Sequence, residues 1–223
     1  MKDGEKTQGD VLLPIGGGDE VGASSLMLRF GGRRILLDAG RRFGSFRVHP
    51  RYDAACSVLG MDGLWELDAI LLSHAHGDHV GSLDRVVGEA PIVSLYATRV
   101  TLEVTEIMLA EVLLRRSCVP KKDASGLLVR SAVERTLSGG HPKDFGEAFR
   151  IGPISARLFG AGHIPGAAMI HLESPSHSLL YTGDFCDFDQ FTVRGCSLPE
   201  DLEVDTLIAE ATYEERDDFA TDS

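Results

Sequence analysis

The sequence predicts an α/β fold in which two β-sheets pack face to face with helices outside, and three observations carry that expectation. Short apolar runs punctuated by glycine fill the first and last thirds of the chain, and a stretch with apolar residues at helical spacing separates them. The clustered histidines and aspartates follow apolar runs, which puts them on loops at one rim of the sandwich.

Taken in order, the first ten residues are polar and read as a flexible amino terminus. Val11-Leu12-Leu13, Ser25 to Phe30 and Arg34 to Asp38 then read as short strands joined by tight turns. Gly31-Gly32 between two apolar runs is a hairpin signal, because both residues can take positive φ. A further strand over Ala69 to Ser73 runs straight into a histidine-rich loop. Beyond it, Gly81 to Val87 and Thr98 to Arg116 carry helical periodicity; in the second, Val100, Val104, Ile107, Met108, Leu109 and Leu113-Leu114 mark an amphipathic helix. Residues 120 to 145 are polar and irregular and read as a surface excursion, with helix around Leu127 to Leu137. Strand signals return at Phe149 to Ile151, Ile154 to Phe159, Ala168 to Leu172, Leu179 to Thr182 and Thr206 to Ala209. Residues 11–213 therefore read as one domain, followed by an acidic tail over 214–223.

Composition agrees with one soluble domain: 223 residues with 43% apolar and 25% charged content suffice for a sizeable core. No apolar stretch is long enough to span a bilayer, and the amino terminus lacks the apolar core of a signal peptide, so a cytoplasmic location without a membrane partner is expected. The four cysteines, Cys56, Cys118, Cys186 and Cys196, are scattered without a C-x-x-C pair and read as reduced thiols. A formal charge of -12 repels nucleic-acid phosphates on average, so such a ligand needs a local basic patch or another protein to supply positive charge. The small basic runs at Arg33-Arg34, Arg41-Arg42, Arg115-Arg116 and Lys121-Lys122 read as solvated surface.

The chemistry concentrates in His74-Ala75-His76-Gly77-Asp78-His79. Three imidazoles and a carboxylate on one short loop point to metal, and imidazole with carboxylate but no thiolate suits zinc and first-row neighbours such as manganese. His74 and His76 can turn toward one ion while Asp78 and His79 face another. Two ions need more ligands, and His163 and Asp184 stand at the ends of later strands beside glycines that allow close backbone approach. The glycine loop at residues 16 to 22 fails the dinucleotide fingerprint, since position 21 is valine, and no P-loop lysine follows.

With these motifs in view, the chain resembles the metallo-β-lactamase superfamily and, more narrowly, its nucleic-acid-processing β-CASP branch, close to the messenger-RNA 3′-end endonucleases and the ribonuclease J group. The matching stretches are Pro14 to Gly22, Leu36 to Gly40, the H-A-H-G-D-H run, Ala161 to Ala168, Tyr181 to Phe185 and Glu210 to Tyr213. The resemblance implies a metallo-β-lactamase-like αββα sandwich, incomplete at its carboxy-terminal side. It implies that His74, His76 and His163 hold a first zinc, that Asp78 and His79 hold a second, and that Asp184 bridges both. It also implies that Asp38 lies behind the site and orients the histidine loop, and that Glu210 is the family's acidic residue at the start of the β-CASP insertion.

The function that follows is metal-dependent hydrolysis of a phosphodiester, in RNA sooner than DNA, by a water activated between two zinc ions or manganese in their place. Asp78 orients the nucleophile in that scheme. The sequence reaches only ten residues past Tyr213, to Ser223, where relatives carry the β-CASP domain and return with further histidines. A protein partner supplying that half is therefore expected; the competing explanation is a self-contained, minimal hydrolase or a degenerate binding module. Two other readings are a small-molecule ester, thioester or lactam hydrolase of the same fold, and a non-catalytic scaffold subunit.

Overall fold

A computed structural model of the chain describes residues 9–44, 48–117 and 124–212, with side chains left undescribed at 111–117 and 124–129. Residues 1–8 of the expected flexible terminus, Cys118, Lys121-Lys122, Tyr213 and the acidic tail lie outside the described residues.

The first sheet holds β1 (Val11–Gly16), β2 (Ser25–Phe30), β3 (Arg33–Leu37), β4 (Ala69–Leu71), β5 (Ser94–Ala97) and β6 (His141–Pro142), hydrogen-bonded in that order. Strands β1 to β3 are antiparallel, whereas β3, β4, β5 and β6 run parallel, so the chain must cross over between them. The crossovers are α1 (Tyr52–Leu59), a single 3₁₀ turn at Leu64–Glu66, α2 (Gly77–Val80), α3 (Leu83–Glu89), α4 (Arg99–Ser117) and α5 (Ala124–Ser138). The second sheet runs β11-β10-β9-β8-β7, from β7 (Phe149–Ile151), β8 (Ile154–Gly160), β9 (Ala168–Glu173), β10 (Ser178–Tyr181) and β11 (Thr206–Ile208).

The period-two alternation of strand residues sorts the core into layers. Leu26, Leu28 and Phe30 of β2, Ile35 and Leu37 of β3, and Ala69 and Leu71 of β4 face Ile154, Ala156, Leu158, Ile170, Leu172 and Leu179 of the second sheet. The residues between them in sequence, Met27, Leu36 and Ile70, face the opposite way and meet Leu59, Leu83, Val86, Leu109 and Val133 of the helices. Sandwich and helix layer are thus two cores sharing the first sheet.

Several expectations change. Helix α1 and strands β5 and β6 were not anticipated. The helix expected around Leu127 to Leu137 is present as α5, but its Ala132, Val133 and Leu137 are buried in the helix-side core instead of lying on a surface excursion. The helix expected from Gly81 starts at Leu83, because residues 77–80 form their own turn. In α4 the buried face is Thr101, Leu102, Thr105 and Leu109, while Val100, Val104 and Ile107 are 40%, 38% and 70% exposed. Over its described side chains, residues 99–110, the Val100, Val104 and Ile107 stripe faces away from the core.

Helices flank the first sheet only, among the described residues. The outer face of the second sheet, with Phe159, Met169 and Leu180, is covered instead by Ile164, Cys196, Leu202 and Val204 of irregular segments. Residues 183–205 are rich in Asp, are interrupted by Gly195 and Pro199 and lack helical periodicity, which explains an extended cover there. The described residues therefore supply an α-β-β arrangement, and β11 lies at the edge of its sheet with Leu207 59% exposed.

Candidate metal centre

The site forms where strands from both sheets end. Asp38 follows β3, Ser73 and His74 follow β4, His163 follows β8, and Asp184 follows β10. Two glycines permit the crowding. A Cβ on Gly40 would sit 1.7 Å from the carbonyl oxygen of Asp78, and one on Gly183, whose φ is +54°, would sit 2.6 Å from Ser73 Cβ. The metal loop and the Asp184 turn can approach this closely only with glycine at those points.

His74 Nε2, His76 Nδ1, His163 Nε2 and an Asp184 oxygen converge, all within 4.8 Å of one another. His76 Nδ1 lies 3.2 Å from His74 Nε2 and 3.1 Å from His163 Nε2, while Asp184 Oδ2 is 3.8 Å from His74 Nε2 and 3.6 Å from His163 Nε2. Ligand atoms held tetrahedrally at zinc–nitrogen distance are about 3.3 Å apart, so this spacing fits a first-row ion at the centre of the four. The other oxygen, Asp184 Oδ1, is 3.2 Å from His79 Nε2. Asp184 thus turns one oxygen to the three-histidine cluster and the other to His79, the disposition a bridging carboxylate needs. Asp78 sits on the first turn of α2, its Cβ 3.5 Å from where a side chain at Gly22 would begin, and its carboxylate is not one of the four converging groups.

Behind the ligands, Asp38 is fully buried in the left-handed region at φ 56°. A non-glycine residue there costs about 1–2 kcal/mol, and the hydrogen bonds to its side chain offset this. Ser73 N–H donates to Oδ1 at 2.7 Å, while Ser73 Oγ at 2.6 Å, Tyr181 Oη at 2.8 Å and His79 Nδ1 at 2.8 Å converge on Oδ2. Glu210 accepts from Phe185 N–H at 3.2 Å and from Thr212 N–H at 3.4 Å, which ties the Asp184 turn to the end of β11. Asp38 and Glu210 were expected from the sequence; Ser73 and Tyr181 were not. The local signal for Ser73 was a hydroxyl immediately before the first ligand, whereas Tyr181 reaches Asp38 across 143 positions of sequence.

The electrostatics separate the two halves. Burial, reinforced by the charge on His79, pushes His74 down to about 2, and burial also lowers His163, leaving both rings neutral as ligands must be. Burial opposes a charged His79 as well, but Asp38 and Asp184 on either side outweigh it and raise that ring to about 10. Asp184 resists the burial that would raise it and is drawn down to about 2 by its hydrogen bond to His79 and the surrounding imidazoles.

The sign of the His79 shift gives a prediction. A ring raised from its ordinary 6.5 to about 10 keeps its second proton at pH 8, so an ion taking Nε2 must displace it. Calorimetric zinc titrations at pH 8 in buffers of different ionisation enthalpy are expected to report about one proton released at this half of the site. A buffer-independent heat would count against the assignment.

A sandwich with imidazoles and carboxylates gathered at one rim defines the class: an α/β protein built around a candidate metal centre. The chain belongs to the metallo-β-lactamase superfamily, whose family profile matches residues 18–185. It is 34% identical over 205 residues to Ribonuclease TTHA0252 of Thermus thermophilus, covering 92% of this chain and 44% of that protein. It is 29% identical to Cleavage and polyadenylation specificity factor subunit 3 of Dictyostelium discoideum, covering 91% of this chain and 26% of the relative. It is also 29% identical to Integrator complex subunit 11 of Danio rerio, covering 91% of this chain and 34% of the relative. The chain therefore spans less than half the length of these curated relatives.

Proposed function

We propose that the protein is a metal-dependent phosphodiesterase of the β-CASP nuclease type that cleaves RNA in preference to DNA. The observation that carries the reading is the convergence of His74, His76, His163 and Asp184 at ligand spacing, with His79 on the far oxygen of Asp184. A ribonuclease name among the relatives supports the choice of RNA. In this reading His74, His76, His163 and Asp184 hold a first zinc, and His79, Asp184 and Asp78 a second, with manganese able to substitute. When bound, the ions supply Lewis acidity toward phosphate oxygens and an activated water as nucleophile.

The chain's own residues do the rest. Asp184 sets the relation between the two halves, Asp38 fixes the His79 ring so that Nε2 faces inward, and Asp78 orients the nucleophile. His76 is exposed, and His163 and Asp184 are about one-quarter exposed, so a bulky polymeric substrate can reach this side of the cluster. The net charge of -12 opposes phosphate approach elsewhere on the chain.

A further polypeptide completes the site in this proposal and supplies an imidazole to the second ion and basic residues to the substrate path. Among the described residues, the edge position of β11, exposed Leu207 and the exposed Val100, Val104 and Ile107 stripe of α4 support a covering partner. A cytoplasmic location accompanies this reading, and none of the described helices is long and apolar enough to cross a membrane.

The test is a panel of labelled single-stranded RNA, single-stranded DNA, a thioester and a lactam, offered to zinc-loaded protein and to His76→Ala. RNA cleavage that is lost on chelation and in the variant is expected. Turnover of the thioester or lactam with RNA left intact would favour a small-molecule hydrolase, and a protein that takes up no metal would favour a scaffold role.

A further inference from the structure

We propose that Ser73 is a positioning residue that fixes the ring tautomer of His74, carrying the influence of buried Asp38 to the three-histidine half of the site. The proposal rests on the reading of that cluster as a metal centre.

Ser73 is 1% exposed and stands between β4 and the ligand loop. Its Oγ lies 2.6 Å from Asp38 Oδ2 and 3.0 Å from His74 Nδ1. A serine hydroxyl has one proton to give and lone pairs to receive, so the two contacts cannot both be donations. Asp38 already collects the Ser73 N–H, the Tyr181 hydroxyl and the His79 ring, as an ionised carboxylate does. An ionised carboxylate has no proton to return, and a bare hydroxyl oxygen at 2.6 Å from it would be repelled; the Ser73 proton therefore points to Asp38.

The consequence falls on His74. With the serine proton committed, Oγ offers a lone pair to Nδ1, and Nδ1 must carry the hydrogen. A neutral imidazole has one ring hydrogen, so Nε2 is left bare. Nε2 is the atom that faces His76 and Asp184. The reverse arrangement, with serine donating to Nδ1, would place the ring hydrogen on Nε2 and block the ligand position.

Asp38 therefore orients one ring in each half of the site, His79 by direct contact and His74 through Ser73. A ligating ring whose outer nitrogen loses its partner typically holds metal roughly 10- to 100-fold more weakly.

The experiment is nitrogen NMR of the histidine rings in the full-length protein, with and without one equivalent of zinc, beside zinc affinity measured by competition with a chromophoric chelator. In the wild type, His74 is expected in the Nδ1–H form before zinc is added, an observation that needs no variant. In Ser73→Ala, the Nε2–H form is expected to gain population and zinc affinity to fall roughly 10- to 100-fold. The backbone N–H of residue 73 still reaches Asp38 in this variant. An Nε2–H tautomer in the wild type, or unchanged tautomer and affinity in the variant, overturns the proposal. Wild-type protein that shows the Nδ1–H form yet binds no zinc would instead refute the metal reading and leave the relay standing.

Discussion

Asp184→Ala is expected to remove metal-dependent cleavage by roughly a thousand-fold or more, which corresponds to about 4 kcal/mol of lost transition-state stabilisation. Among the described residues, Asp184 is the one whose oxygens face both halves of the centre, Oδ2 toward His74 and His163 and Oδ1 toward His79. On the proposed two-ion reading, its loss weakens both sites together, whereas loss of His76 takes a ligand from one. The variant should still fold, because the side chain is 26% exposed and contributes little to either core. Zinc uptake followed by titration and cleavage followed on labelled RNA check this together, with circular dichroism as the folding control. Two ions retained at wild-type affinity in the variant would show that Asp184 is not the bridge.

Asp38→Asn is expected to cost about 3 kcal/mol of folding stability and to weaken zinc binding at His79. The substitution keeps the shape but puts an amide N–H₂ where an acceptor stood. At either oxygen position it meets a donor: the Ser73 N–H on one side, or the Ser73, Tyr181 and His79 donors on the other. The residue is fully buried, so water cannot relieve the mismatch. Removing the carboxylate charge also removes a main support for a protonated His79, whose ring should then fall from about 10 toward its ordinary range. Urea unfolding measures the first effect and histidine NMR titration the second. Stability within about 0.5 kcal/mol of wild type would mean that Asp38 is not the anchor described.

The layered fold was legible where local patterns have a single solution. The short apolar runs of β2 and β3, the Gly31-Gly32 turn and the apolar run into His74 each admitted one reading. Helix α1 was legible in principle, since its buried Tyr52, Ala55, Cys56 and Leu59 keep helical spacing. Its small residues gave that pattern little weight. The buried face of α4 was not legible, because Val100, Val104 and Ile107 repeat as regularly as the stripe that faces the core, and the choice is made by what packs alongside. Strands β5 and β6 are short, and pairing across the sheet defines them more than their composition does.

The candidate centre divides in the same way. His74, His76, His79, His163 and Asp184 stood out because several metal-capable groups following strands have few other reasons to gather. The structure brings His74, His76, His163 and Asp184 within 4.8 Å of one another and sets His79 on the far oxygen of Asp184, whereas the Asp78 carboxylate is not among the converging groups. The network behind them was hidden, since Asp38 draws its donors from Tyr181 of β10, from Ser73 after β4 and from His79 of α2. Serine and tyrosine carry no local mark of such a role. A sequence exposes ligand atoms more readily than the hydrogen bonds that aim them.

Whether this gathering of imidazoles and carboxylate is a metal centre is decided by the metal content of purified protein equilibrated with buffered zinc. One tightly held ion per chain is expected in the three-histidine half, and a second at higher free zinc that requires His79. Protein that holds no stoichiometric zinc, or holds it equally well with His76 and Asp184 both replaced by alanine, would contradict it.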